Sequence, residues 1–153
     1  MIEDQIARLQ RSVDDFSRCV GAIEPDAFLE PLRNWTPRDI VAHLVGWNRH
    51  LIEGSRQILR GELPFYDVDP GENFANINSE LIRKYASRDR DELVEALRRS
   101  ARELAEFLRS LDETAWDHDF GVRNLGETIT VRSSVDDLIA DYAHHREELA
   151  RAS

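Results

Sequence analysis

Apolar side chains recur at three- and four-residue steps over four long stretches of this chain, a period that points to amphipathic helices. Ile2, Ile6, Leu9, Val13, Phe16 and Val20 form the first stripe and predict a helix over 2–21, ending near Gly21. A second helix is expected from Pro37 to about Arg60, where Gly61 stops it. Its start is well marked: Thr36 is a good N-cap, Pro37 suits the first helical position, and Asp39 stands three residues after the cap. A third, Arg90 to Leu111, carries Leu93, Leu97, Leu104, Phe107, Leu108 and Leu111, with Ser87 or Asp89 as its cap. Ser133 and Ser134, with Asp136 and Asp137 three residues on, predict overlapping capping boxes for a last helix to about Arg151. A shorter helix fits Asn73 to Tyr85, with Phe74, Ile77, Leu81 and Tyr85 on one side.

The connections are less regular. Pro25 and Pro31 make residues 23–34 a link with one helical turn, and Gly61, Pro64, Pro70 and Gly71 make 61–72 an irregular loop. Residues 112–132 show no helical period. Thr128-Ile129-Thr130-Val131 has strand-like residues, but a lone short strand has no partner, so a loop is expected. The expectation is one all-helical domain over 1–153, a bundle of four long helices with one additional short helix.

Charge narrows the function. The chain carries 30 acidic and 20 basic residues, a formal net charge of -10. That argues against binding to DNA, RNA or anionic lipid, which needs clustered Lys and Arg. No apolar run approaches the roughly 20 residues a membrane helix needs. The acidic start, Met1-Ile2-Glu3-Asp4, does not read as a signal peptide, so a cytoplasmic location is expected. Cys19 is the single cysteine; it sits beside the first stripe and reads as a small buried hydrophobe.

Two stretches carry the candidate chemistry. On the second helix Ile40, His43, Leu44, Trp47 and Leu51 share the buried stripe, so His43 points inward. On the last, Leu138, Asp141, Tyr142, His145 and Leu149 do the same, with Asp141 and His145 one turn apart on one face. Two imidazoles and a carboxylate on facing helices suit a divalent metal (zinc, iron, nickel or manganese), with positions left open for water or substrate. The competing reading is that Asp141, buried, pairs an arginine such as Arg49, Arg56 or Arg146, and that His43 is a hydrogen-bonded core residue. His50 lies two turns beyond His43 on its face, as ligand, supporting group or rim residue. Trp47 either walls the pocket or packs; Glu148 either supports a ligand or is a solvated charge. His144 is expected at the flank and His118 in solvent. No phosphate-binding glycine loop, CxxC, HExxH or nucleophile elbow is present.

The segment Trp35-Thr36-Pro37-Arg38-Asp39-Ile40-Val41-Ala42-His43-Leu44-Val45-Gly46-Trp47 resembles the W-(S/T)-x-(R/K)-D-x-x-x-H-L-x-x-W helix of DinB/YfiT-like proteins. Asp141-x-x-x-His145-Arg146 is similar to the H-x-x-x-H-R that closes the same superfamily, and the middle of the chain is similar to its ClbS/DfsB branch. The resemblance implies a four-helix bundle with a metal site of three histidines. His43 and His145 match the first and last of these, and Asp141 stands where the second is usual. It implies a metal-dependent hydrolase, or a transferase using a thiol such as mycothiol or bacillithiol, acting on a small electrophile in resistance or detoxification. The alternative it implies is a metal-free protein that binds or sequesters an apolar small molecule. A homodimer is compatible with either.

Overall fold

The protein is described by a computed structural model covering residues 1–152. Helix α1 (Ile2–Gly21) is followed by the single turn α2 (Pro25–Phe28) and the long α3 (Pro37–Leu59). Then come α4 (Phe65–Val68), a 3-10 turn over Glu72–Phe74, α5 (Ala75–Tyr85) and α6 (Arg90–Arg109). Short α7 (Glu113–Trp116) leads to a hairpin, β1 (Arg123–Asn124) and β2 (Glu127–Thr128), and the chain closes with α8 (Val131–Ala152). The long helices pack in a ring, α1 against α6, α6 against α3, α3 against α8 and α8 against α1, with α5 laid on α3.

The stripes read from the sequence form the core. Every member of the α1 stripe is buried, together with Leu93, Leu97, Leu104 and Leu108 of α6 and Val135, Leu138, Tyr142 and Leu149 of α8. Full burial of each large apolar side chain contributes about 1.5–3 kcal/mol. Helix α3 is covered on several sides, because it touches α5, α6 and α8 together. Gly46 lets α5 come close: a Cβ there would run into the Leu81 side chain. The expected capping box is formed, with Thr36 Oγ1 accepting from Asp39 N–H and Asp39 Oδ2 accepting from Thr36 N–H, each at 3.1 Å. Asp89 rather than Ser87 caps α6, accepting from the N–H groups of Asp91 and Glu92.

The sequence expectation fails at 112–132. This stretch is not plain loop: it holds α7 and a hairpin in which Thr128 pairs with Arg123 and Asn124 with Glu127. The partner strand, Arg-Asn, has no strand-like composition, so period and propensity pass over it. The last helix also starts earlier than expected. Thr130 is the cap, exchanging reciprocal 3.0 Å bonds with Ser133. The proposed boxes at Ser133 and Ser134 are absent because Asp136 accepts instead from Gln5 and Arg8 of α1. Within the loop 61–72 lies the extra turn α4. No helix among the described residues is long and apolar enough to cross a membrane.

Candidate functional site

His43 is buried, at 3% exposure. Its Nδ1–H donates to the Ile40 carbonyl oxygen at 2.6 Å; that oxygen can only accept, so the proton is on Nδ1 and Nε2 keeps its lone pair. Burial, helped by the nearby His145, pushes its pKa down to about 3, so the ring is neutral at ordinary pH. The indole of Trp35 lies over it, ring centres 4.6 Å apart.

His145 reaches the same place from α8. Its ring centre is 4.8 Å from that of His43, edge to face, and 6.4 Å from Trp35. Its Nδ1–H donates to Glu148 Oε1 at 2.6 Å, which again leaves Nε2 free. A histidine held through one nitrogen by a carbonyl or a carboxylate, with the other presented outward, is the usual arrangement of a metal-binding imidazole. His144 is exposed, and its Nε2 lies 3.6 Å from the same Glu148 oxygen.

Asp141 opens on the same cleft as both histidines, but it is exposed rather than buried. The expectation of a sealed carboxylate is therefore corrected: residue 141 stands at the cleft wall, where water reaches it. Desolvation still raises its pKa above the usual carboxylate range, against the pull of His145 and His144. None of the suggested arginines holds it, since Arg49 pairs with Glu103, Arg56 with Glu53 and Arg146 with Asp15. Among the described residues, the set whose possible ligand atoms all lie within 4.8 Å of one another is His144, His145 and Glu148. His43, Asp141 and His145 share a cleft without making so tight a set.

The cleft has a volume of about 690 Å³. Trp35, His43, Trp47 and Leu51 line it from the α3 side, Tyr66, Asp67 and Phe74 from α4 and the 3-10 turn, and Asn78 from α5. Leu125 and Glu127 of the hairpin and Ser134, Asp137, Leu138, Asp141 and His145 of α8 complete the wall. A second cavity of about 650 Å³ shares Trp35, Asn78, His144 and His145, so the indole and imidazole form a partition with space on both sides. Trp47 is fixed in the wall by an Nε1–H bond of 2.7 Å to Asn78 Oδ1. His50 does not line the cleft; it packs edge-on to Trp47 and Phe65 behind it.

Sequence reasoning missed three features. Asn48 is fully buried and joins three helices, accepting from Tyr142 O–H at 2.8 Å and donating to Ser100 Oγ at 2.9 Å. Asp67 and Asp137 face the cleft, and Tyr66 fills the space over Gly54, where a Cβ would strike the phenol ring. The α8 part was legible: 137, 141 and 145 are spaced by four and share a face.

Comparison with known proteins follows the same lines. Residues 6–150 match the family described as the mycothiol maleylpyruvate isomerase N-terminal domain. No curated protein sequence matches the chain. The colibactin self-resistance protein ClbS, solved in complex with a dsDNA, superposes with a TM-score of 0.77 at 14% identity, covering 98% of this chain and 93% of that one. The mycothiol-dependent maleylpyruvate isomerase superposes with a TM-score of 0.75 at 22% identity, over 97% of this chain. The chain spans 60% of that isomerase. These likenesses establish an all-helical bundle of the DinB/YfiT type, ClbS-like in shape.

Proposed function

The chain belongs to the mycothiol maleylpyruvate isomerase N-terminal domain family, and from that premise we propose a metal-dependent transferase or hydrolase acting on a small organic electrophile in the cleft between α3, α4 and α8. One observation carries this reading: His43 and His145, 4.8 Å apart between ring centres, both have Nδ1 occupied and Nε2 free on one cleft. The donor chemistry fits a divalent cation. The two Nε2 atoms and an unpaired carboxylate, Asp141, would hold it. When bound, such an ion supplies Lewis acidity to a substrate oxygen or to a thiol or water nucleophile. The protein's own residues do the rest. Glu148 and the Ile40 carbonyl fix the two ring orientations, Trp35 packs over the His43 ring, and Trp47 and Phe74, edge to face, give the substrate an apolar wall.

Metal analysis of untagged protein tests this, wild type against His43→Ala. Metal in the wild type and its loss in the variant are expected; equal, near-zero content in both ends the reading. Metal present in equal, stoichiometric amount in both would point instead to the tighter set at His144, His145 and Glu148.

A second reading is a metal-free protein that binds or sequesters a small molecule. The exposed position of Asp141 and the aromatic wall favour it. A ligand that copurifies tightly without metal decides for it. ClbS was solved with DNA, but 30 acidic against 20 basic residues here oppose phosphate binding.

A further inference from the structure

Among the described residues, those other than glycine with a positive φ are Asn73 at +53, Phe74 at +57 and Leu125 at +51. All of them line the cleft, although they belong to two turns far apart in the chain, the 3-10 turn before α5 and the tip of the hairpin. Left-handed backbone pushes the Cβ against a neighbouring carbonyl oxygen. Asparagine tolerates this; phenylalanine and leucine are strained by it. Elsewhere the chain meets the same demand with glycine, at Gly61, Gly71, Gly121 and Gly126. Among the described residues, large apolar side chains take such positions on the cleft alone.

Turn geometry would account for a left-handed residue at each place, but not for its identity. Two observations bear on identity. Leu125 is 98% exposed, so folding gains nothing from burying it, and Asn-Gly, not Leu-Gly, is the pair a tight hairpin tip favours. The strained turn at Asn73 and Phe74 is braced from outside. The Asn78 amide donates to the Asn73 carbonyl oxygen at 3.3 Å and accepts from the Trp47 indole N–H at 2.7 Å. The Phe74 ring packs edge to face with Trp47, centres 5.4 Å apart. Bracing of this kind holds a conformation that local preference opposes, as ligand clamps require. Leu51, Ile129 and Leu138 add apolar surface to the same cleft, whose volume of about 690 Å³ suits a small molecule.

We propose that Phe74 and Leu125 are the specificity-determining residues of the cleft, two strained apolar side chains that grip the hydrocarbon body of a small ligand. Leu125 then finds its burial against the ligand and not against the protein. Asn78 is a positioning residue that holds Phe74 in place through the turn. The inference rests on the reading that the cleft is where the ligand binds, and it adds the class of that ligand: a molecule with an aromatic or aliphatic body, not a small hydrophilic one.

The test uses N-phenyl-1-naphthylamine, an uncharged probe whose emission rises and shifts to the blue in apolar surroundings, titrated into the full chain. Wild type is compared with Leu125→Asn, Phe74→Asn and Val68→Asn. Leu125→Asn keeps a residue that accepts the turn and removes only the apolar side chain. It should bind the probe at least about tenfold more weakly, the scale of one lost apolar contact, while its melting temperature rises. Phe74→Asn should weaken binding as much. Val68→Asn changes an exposed apolar residue that does not line the cleft, and its affinity should match wild type. Unchanged affinity in Leu125→Asn overturns the inference, and so does an equal loss in Val68→Asn, which would place the probe elsewhere. A wild type that does not bind the probe overturns it too. A lowered melting temperature in Leu125→Asn would make the leucine structural and also count against it. The metal content of His43→Ala reports separately on the function proposed above, so either idea can fail without the other.

Discussion

Helices α3 and α8 meet at two polar places that solve the same problem in opposite ways. At Asn48 the interior is closed. Its amide accepts from Tyr142 and donates to Ser100, whose own hydroxyl donates to the Leu97 carbonyl at 3.0 Å. At His43, one turn and a residue earlier, each imidazole uses one nitrogen on the protein and leaves the other free. Both places bury polar atoms between the same helices. The first puts its hydrogen bonds into stability; the second keeps them for something that is not part of the chain. A folded protein gains little from the second arrangement, and that is the physical reason to place function there.

The sharpest break of this comparison is Asn48→Ala. It strands the Tyr142 hydroxyl inside the core, while Ser100 keeps its bond to the Leu97 carbonyl; the orphan costs about 1–3 kcal/mol, so a loss of about 2 kcal/mol is expected in urea unfolding. His145→Ala, from the open place, should cost less than about 1 kcal/mol, because its Glu148 partner can turn to water. Equal losses at the two positions would mean that the imidazoles are as structural as the amide.

A pH series separates the two places further. His43 titrates near 3 in the fold against about 6.5 in the unfolded chain, so between those values the unfolded chain holds a proton that the folded one refuses. Stability should therefore fall as pH is lowered from about 6.5 towards 3, by up to about 1.4 kcal/mol per unit, and be unaffected by this group above 6.5. His43→Phe removes that limb when urea midpoints are measured with chelator present; Asn48, which does not titrate, cannot. Parallel profiles for wild type and His43→Phe would contradict the burial argument.

The same contrast explains what could be read beforehand. The four long helices were legible because their stripes are core, and core obeys the 3.6-residue period at Ile6, Leu9, Leu97 and Leu104. The inward position of His43 followed from that period too. What escaped lies where the chain answers to something else. The hairpin around Leu125 has no apolar alternation, Asn48 looks like any polar residue on a helix, and Asp137 reads as a capping acid. Its side chain instead faces the cleft, because Thr130 has already capped α8. The solvent access of Asp141 could not be read, since helical spacing gives direction and not depth.

Leu125 offers a smaller test. It is 98% exposed at the hairpin tip, with φ +51, followed by Gly126 at φ +82. A leucine in the left-handed region costs about 1–2 kcal/mol, and Asn-Gly is the preferred pair for such a turn. Leu125→Asn should raise stability by up to about 1 kcal/mol, since no burial is lost. If the melting temperature falls instead, the leucine makes a contact that outweighs its backbone.

The smallest effect should have the most informative sign. Asp137 is exposed at the cleft wall, with its pKa raised first by desolvation and then by Asp141, Asp136 and Glu127. A carboxyl with a raised folded pKa binds its proton more readily in the fold, so its ionised form opposes folding at neutral pH, and acid relieves it. Asp137→Asn should therefore stabilise the protein at pH 7, by a few tenths of a kcal/mol given the solvent screening at this position, and the gain should shrink as the pH is lowered through the carboxylate range. At Asn48 any substitution that removes its hydrogen bonds is expected to be costly; at Asp137, removing a charge is expected to help. A loss of stability in Asp137→Asn would show that the carboxylate is held by the fold after all, and the cleft would then resemble the core more than the two places described here suggest.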